Sequence, residues 1–219
     1  MTDLDVISFL GKMLLGIEFL TAIIAFAYFF KLKSTYWKWF CVYLIFIFLQ
    51  EFYWYFNSHF YDIRKQEYYG LFGIPIQYLF FYWLFAMKSL KRKKLFLSFS
   101  VIYLLTIVAE LFLNALDIVY SLNLTVGTLL ICVLVVMEFI KQIQTDNILK
   151  FSTNKMFYIN LGVILFYIGT YPFFAFYDIL NLEAYKSIGD LYYLYFKISI
   201  CLMYILFICS FIWGKHPLK

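Results

Sequence analysis

Long apolar runs alternate with short polar breaks seven times along the chain. A helix needs roughly 20 apolar residues to cross a hydrocarbon core of ~30 Å, and each run reaches or approaches that length. Runs such as 129–137 show no alternation of polar and apolar positions, so they favour helices over barrel strands. The predicted fold is therefore a single all-α domain, 1–219, that forms a seven-helix transmembrane bundle. Its predicted spans are 7–30, 39–56, 68–87, 95–116, 124–140, 156–177 and 191–213.

The composition agrees with this pattern and narrows the possible functions. Apolar residues make up 65% of the chain and charged residues 14%, whereas soluble domains carry about half and about a quarter. No loop between the spans is long enough to fold by itself. The four cysteines all fall inside predicted spans, so no disulfide or thiolate metal site is expected. We predict the lipid bilayer as the surroundings of the chain, and no nucleic acid, metal or cofactor as a partner.

The distribution of cations predicts how the chain faces the membrane. Thirteen of its 18 lysines and arginines fall at one end of the predicted bundle, four fall at the other, and Lys197 lies inside the last span. Loops rich in lysine and arginine remain in the cytoplasm. The N-terminus is therefore predicted to lie outside and the C-terminus in the cytoplasm.

One basic cluster stands out in the third of the polar breaks. It comprises Lys88, Lys91, Arg92, Lys93 and Lys94. The cluster serves as a topology signal. It also suits docking of an anionic lipid or of an acidic cytosolic protein, and these roles are compatible.

Ionisable side chains at membrane depth are the main candidates for function, because each costs at least ~2.5 kcal/mol unless it has a partner. All of them lie in the outer half of the bundle or at its midplane, and the inner half holds nothing comparable except Asn160. The fifth span carries no charge apart from Glu138, two residues before its predicted end, so we expect it to lie at the periphery or to contribute only packing. The candidate ligand or ion pocket, which opens outward, comprises Glu18, Glu51, Gln77, Glu110, Asn114, Tyr167, Tyr171 and Lys197.

The charges of this set do not balance. Three glutamates and one lysine cannot pair one to one, so a proton, a cation or a cationic ligand must supply the missing charge. Pro75 and Pro172 each remove a helical hydrogen bond beside the pocket and allow kinks that widen it. The alternative is a purely structural network in which Lys197 bridges glutamates and fixes the helices.

Known catalytic and cofactor patterns are absent from the sequence. It has no HExxH motif, no phosphate-binding glycine loop and no serine nucleophile motif, so an enzyme is not favoured. Lys197 in a seventh span resembles the retinal-binding lysine of microbial rhodopsins. Those proteins carry a carboxylate four residues earlier, where this chain has Tyr193, and no retinal is predicted.

The C-terminal third is similar to small seven-helix membrane proteins of Bacteroidota, most of them uncharacterised. The similarity lies in Phe-Tyr-Ile-Asn-Leu-Gly-Val-Ile-Leu-Phe-Tyr at 157–167, in Tyr-Pro-Phe-Phe at 171–174, and in a last span that ends at Trp213 and Lys215. The resemblance implies a multi-pass protein of the bacterial inner membrane with a sensory role. Lys197 departs from the uncharged residue usual at that position.

These observations lead to one main functional hypothesis and three alternatives. The main hypothesis is a sensor or receptor-like component that binds a small molecule or ion from outside and signals through a cytosolic partner. The first alternative is an ion-coupled carrier or channel that uses Glu18, Glu51 and Glu110. The others are an intramembrane enzyme that acts on lipid and a membrane scaffold whose buried charges are structural.

Overall fold

The computed structural model describes residues 3–57, 65, 67–113, 122–145, 147–180 and 182–214, with only the backbone described at 3–8, 113, 147 and 178. All regular elements in these residues are helical. Seven helices are long and apolar enough to cross a membrane, which confirms the prediction of a seven-helix bundle. The direction in which the bundle faces stays a prediction. We therefore call the end that carries Lys31, Lys88 and Lys141 the basic end.

The seven helices follow the predicted spans closely. Their bounds are α1 Asp3–Leu32, α2 Lys38–Phe56, α3 Tyr69–Ser89, α4 Lys93–Leu113, α5 Leu122–Gln144, α6 Lys155–Ala175 and α7 Lys186–Ile212. Shorter helical turns connect them at Asn147–Thr153, Tyr177–Leu180 and Glu183–Tyr185. The largest differences are in α7, which begins five residues before its predicted start at residue 191, and in α5, which continues about one turn beyond its predicted end at residue 140.

Two helices change their hydrogen-bonding pattern where a proline follows. In α3 a π-helical segment, Tyr69–Gly73, precedes Pro75, which sits in the first turn of the next α-helical segment. In α6 the π-helical segment Ile164–Ile168 is followed by a turn and then by Pro172. Proline has no amide hydrogen and fits only the first turn of a helix, so each helix must restart there. A π-helical segment thus lies just before each proline, and α3 has a further one at Trp83–Ser89, which no proline follows.

The packing order places α5 inside the bundle and α4 outside it. Helix α1 packs on α2 and α7, α6 packs on α7, and α4 contacts mainly α5 and α3. In the most apolar window of each span, 39% of α5 and only 11% of α4 is buried. The expectation that the fifth span lies at the periphery was therefore wrong. Helix α5 packs against α3, α4 and α6, and α4 takes the lipid-facing position.

Aromatic rings fill the half of the core nearer the basic end. Phe40, Phe81 and Phe207 are completely buried. The Phe40 and Phe207 ring centroids are 5.3 Å apart, and those of Phe81 and Phe207 are 6.3 Å apart. Interlocking rings suit a membrane interior, because dispersion contacts, not exclusion from water, hold helices together there.

The contact between α3 and α5 depends on a glycine. A Cβ atom at Gly127 would lie 2.9 Å from the Tyr78 ring, well inside van der Waals contact. The close approach lets the Tyr78 hydroxyl lie 2.8 Å from the Thr128 hydroxyl and lets Tyr82 donate to the Gly127 carbonyl at 3.0 Å. The absence of a side chain at Gly127 thus allows two buried tyrosine hydroxyls to find partners.

We predict that Gly127→Leu lowers the free energy of unfolding by about 1–3 kcal/mol, because the new side chain overpacks against Tyr78. The midpoint of thermal unfolding in detergent, followed by intrinsic fluorescence, measures this change. Gly16→Leu is the matched control, since a Cβ at Gly16 meets no atom within 4 Å. Equal midpoints for the two variants would contradict the close α3–α5 contact.

Candidate functional site

A cavity of about 340 Å³ lies between the helices in the half of the bundle away from the basic end. Helices α1, α2, α3, α5, α6 and α7 line it, and we call it the polar cavity. Six of the eight candidate pocket residues contribute to its wall: Glu18, Glu51, Gln77, Tyr167, Tyr171 and Lys197. Its volume is at the lower end of the range for small-molecule sites, about 300–1,000 Å³.

Two carboxylates form the acidic part of the wall. Glu18 is 5% exposed, and its carboxyl group lies within hydrogen-bonding reach of the Tyr204 hydroxyl on α7. Glu51 accepts a hydrogen bond of 2.5 Å from the Tyr69 hydroxyl on α3. Each glutamate therefore has a tyrosine hydroxyl on another helix as a partner, and neither forms an ion pair within 4.0 Å among the described residues.

Lys197 supplies the opposite charge to the same cavity. Its Nζ lies 5.4 Å from the ring centroid of Tyr193 and 5.7 Å from that of Phe196, both on its own helix. In the described part of the chain the one ion pair within 4.0 Å joins Glu138 to Lys141. The structural alternative in which Lys197 bridges glutamates is therefore not what the geometry shows.

Several neutral polar groups of the wall form hydrogen bonds within the protein. Tyr167 donates to the Gln77 side-chain oxygen at 2.9 Å. The π-helical segments take part in this arrangement, because Tyr69 and Tyr167 both belong to them. An extra residue in a helical turn rotates the residues beyond it, and such segments are frequent at functional sites. The ionisable side chains of the wall differ from the pair of Tyr167 and Gln77, because they have no ionic partner within 4.0 Å among the described residues.

The polar cavity ends at a layer of aromatic rings on the side of the basic end. Tyr167 lies at the boundary, with its ring centroid 5.5 Å from that of Phe81. Phe40 and Phe207 complete the layer, and none of the three phenylalanines is exposed. An ion or polar solute in the cavity would have to displace these rings to reach the basic end.

Glu110 lies away from the polar cavity. Its Oε1 accepts a hydrogen bond of 2.7 Å from the backbone amide of Asn123, in the first turn of α5. The Asn123 side chain accepts from the Tyr103 hydroxyl at 2.8 Å and donates to the Gly70 carbonyl at 3.2 Å. Glu110 therefore caps a helix N-terminus, where a carboxylate is stabilised. Asn114, the other candidate from α4, lies outside the described residues.

The basic cluster divides into two parts. Lys91, Arg92, Lys93 and Lys94 are exposed, whereas Lys88 is half-buried with its Nζ 5.3 Å from the Trp83 ring centroid. Lys91 has a positive φ of 57°. This left-handed residue lets the Arg92 amide donate back to the Ala86 carbonyl at 2.8 Å, which closes the end of α3. The backbone of the cluster thus forms a defined turn that carries four exposed cations.

The sequence reasoning missed a buried polar network near the basic end. Glu138 is 1% exposed and accepts from the Ser89 hydroxyl at 2.6 Å and from the Gln142 side chain at 3.1 Å. Lys141 also donates to Ser89, at 2.9 Å to the carbonyl and 2.7 Å to the hydroxyl. Asn154 extends the network to the start of α6 by donating to Gln142 at 3.1 Å. The expectation that the inner half holds only Asn160 was wrong.

A signal for this network was available in the sequence. Glu138, Lys141 and Gln142 are spaced by three and four residues, so a helix that continues past residue 140 places them on one face. The predicted span ended before Lys141, and the pattern was lost. The network ties α3, α5 and α6 together directly below the basic cluster.

We predict that Glu138→Ala lowers the free energy of unfolding by about 1–3 kcal/mol, because Ser89 and Gln142 lose their acceptor in a buried position. Chemical or thermal unfolding in detergent measures the loss. Glu183→Ala removes the same charge from an exposed position at the other end and should leave stability nearly unchanged. Equal stability of the two variants would show that the network does not hold these helices.

The comparisons with known proteins give no identification: no protein-family model, curated protein or solved structure matches the chain. The resemblance to the Bacteroidota proteins stays a prediction.

Proposed function

We propose that this protein is a receptor-like membrane component that binds a small zwitterionic molecule in the polar cavity and signals through a cytosolic partner. One observation carries the proposal. Glu18, Glu51 and Lys197 line one cavity, and none of them forms an ion pair within 4.0 Å with any residue that the structure describes, so ionisable groups of both signs face the same small space without an ionic partner.

The charges of the wall define the class of ligand. Uncompensated charges inside a membrane protein are costly, and a ligand that supplies the opposite charges relieves that cost. A molecule with one ammonium and one carboxylate group could meet the glutamates and Lys197 at once. The tyrosine and phenylalanine rings of the wall also favour a cationic group by cation–π attraction. A volume of about 340 Å³ favours a compact ligand.

The aromatic layer favours a receptor over a carrier. It separates the polar cavity from the basic end, so the described side chains provide no continuous polar path between the two. A receptor needs only that the ligand binds two arrangements of the helices with different affinity. The π-helical segments Tyr69–Gly73 in α3 and Ile164–Ile168 in α6, each followed by a proline, are suitable hinges for such a change. Both contribute side chains to the cavity wall.

The proposed direction of signalling follows from the distribution of cations. With the basic end in the cytoplasm, the polar cavity faces the exterior side and the exposed residues Lys91–Lys94 face the cytosol. A fixed turn rich in cations suits an acidic surface on a partner protein. The bacterial inner membrane is part of this proposal and rests on the resemblance of the C-terminal third.

The first prediction concerns ligand class. Isothermal titration of the detergent-solubilised protein with glycine betaine and with the neutral amino acids should reveal at least one zwitterion that binds. Choline, which carries only the positive charge of a zwitterion, and acetate, which carries only the negative charge, should bind more weakly. Glu18→Gln and Lys197→Met should each raise the dissociation constant for the zwitterion by roughly tenfold to a hundredfold, because each variant removes one charge-assisted contact.

Two controls make this prediction decisive. Lys186→Met removes a lysine from an exposed position in the first turn of α7 and should leave binding unchanged. Thermal unfolding of each variant without ligand shows whether the bundle is intact. The ligand class is refuted if no zwitterion in the panel binds, or if Lys197→Met binds the zwitterion as tightly as the unmodified protein does.

A separate prediction concerns the basic cluster. Changing Lys91 to Asn and Arg92, Lys93 and Lys94 to Gln should abolish recovery of the cytosolic partner by affinity purification from the native host, while zwitterion binding persists. Asparagine is chosen at Lys91 because it tolerates the left-handed conformation there. The control is Lys31→Gln with Lys33→Gln, which removes two exposed cations at the same end. Loss of partner recovery and zwitterion binding together would exclude a dedicated docking role. If the unmodified protein is recovered without any partner, a carrier is favoured, and flux of the zwitterion into vesicles tests it.

A further inference from the structure

An apolar groove runs along the outer surface between α2 and α3, separate from the polar cavity. Trp39, Val42 and Phe46 line it from α2, and Ile76, Phe80 and Trp83 line it from α3. Its volume is about 470 Å³. We call it the α2–α3 groove.

A buried stack of rings gives the groove a rigid floor. The rings of Tyr43 and Phe80 are parallel to within 1°, and their centroids are 4.1 Å apart. Tyr43 is also 5.5 Å from Phe81, measured between centroids, in the aromatic layer behind the groove. Trp39, Val42, Phe46 and Ile76 remain exposed on the surface that faces lipid. The groove is therefore a preformed channel open to the hydrocarbon.

Two lysines mark the end of the groove nearest the basic end. Lys38 Nζ lies 5.4 Å from the Trp39 ring centroid, and Lys88 Nζ lies 5.3 Å from the Trp83 ring centroid. A lysine ammonium group thus lies close to the ring of each tryptophan in the groove. Neither lysine is paired with a carboxylate within 4.0 Å among the described residues. Their charge is available to an anion at the level of the lipid headgroups.

The dimensions suit one acyl chain of a lipid. Seven residues separate Trp39 from Phe46, which corresponds to roughly 10 Å of helix. One leaflet contributes about half of the ~30 Å hydrocarbon core. The groove therefore follows much of one leaflet and ends at the cations.

We propose that the α2–α3 groove binds one acyl chain of an anionic phospholipid and that its phosphate group lies between Lys38 and Lys88. The apolar channel alone would accept any chain in the bilayer. The two lysines select the headgroup, because an anionic headgroup gains electrostatic attraction from each nearby cation. This site is independent of the function proposed for the polar cavity.

Native mass spectrometry of the purified protein tests the proposal. The protein is titrated in detergent with phosphatidylglycerol and with phosphatidylcholine that carry the same acyl chains. We expect one phosphatidylglycerol to be retained per protein in preference to phosphatidylcholine. Lys38→Gln with Lys88→Gln should reduce its retention by about fivefold for each lysine removed. Lys31→Gln with Lys33→Gln loses the same charge from exposed positions at the same end and should retain the lipid.

A second variant tests the contribution of the α2–α3 groove separately from that of its two lysines. Val42→Trp fills the groove and leaves both lysines in place, so it should reduce retention of phosphatidylglycerol as well. Equal retention of the two lipids by the unmodified protein would overturn the proposal and indicate ordinary boundary lipid. Equal loss of phosphatidylglycerol in the Lys31 and Lys33 control would also overturn it. So would a dimer mass that disappears in Val42→Trp, because that result would assign the groove to a second copy of the chain.

Discussion

The structure depends on one constraint, that backbone amides and carbonyls inside the hydrocarbon must find partners within the protein. Seven helices meet it locally over most of their length. Where α3 and α6 change to π-helix, neighbouring helices supply the partners. The Asn123 side chain donates to the Gly70 carbonyl at 3.2 Å, and the Tyr195 hydroxyl donates to the Leu165 carbonyl at 3.3 Å. The irregular turns are therefore supported from the side, and they can shape a cavity without exposing the backbone to lipid.

The buried charges fall into two groups with different surroundings. Glu138 has donors from three side chains and forms a closed network near the basic end. Glu18, Glu51 and Lys197 have hydroxyl groups or aromatic rings beside them, and no ion partner within 4.0 Å in the part of the chain that the structure describes. A satisfied network fixes helices, whereas an unsatisfied set favours a ligand that completes it. This contrast is the reason that we assign structure to the first group and binding to the second.

Part of the candidate site could be predicted from residue type alone. Glutamate and lysine are so costly in lipid that any such residue at depth must face the interior, and this rule placed Glu18, Glu51 and Lys197 in one cavity. The same rule did not distinguish Glu110 from the residues of the cavity, because a carboxylate that caps a helix also finds a partner inside the bundle. Capping depends on where α5 begins relative to α4, and spacing along a single helix carries no information about that.

The sequence by itself determined the number and approximate ends of the helices, because apolar length and local hydrogen bonding decide whether a segment spans a membrane. Only the tertiary structure decided which helices lie inside. Lipid and protein core are equally apolar, so hydrophobicity does not distinguish the inner face of a membrane helix from its outer face. The close approach at Gly127 placed α5 inside and left α4 at the surface. The rotation of each helix, set by such contacts, then determined which charges meet in the cavity.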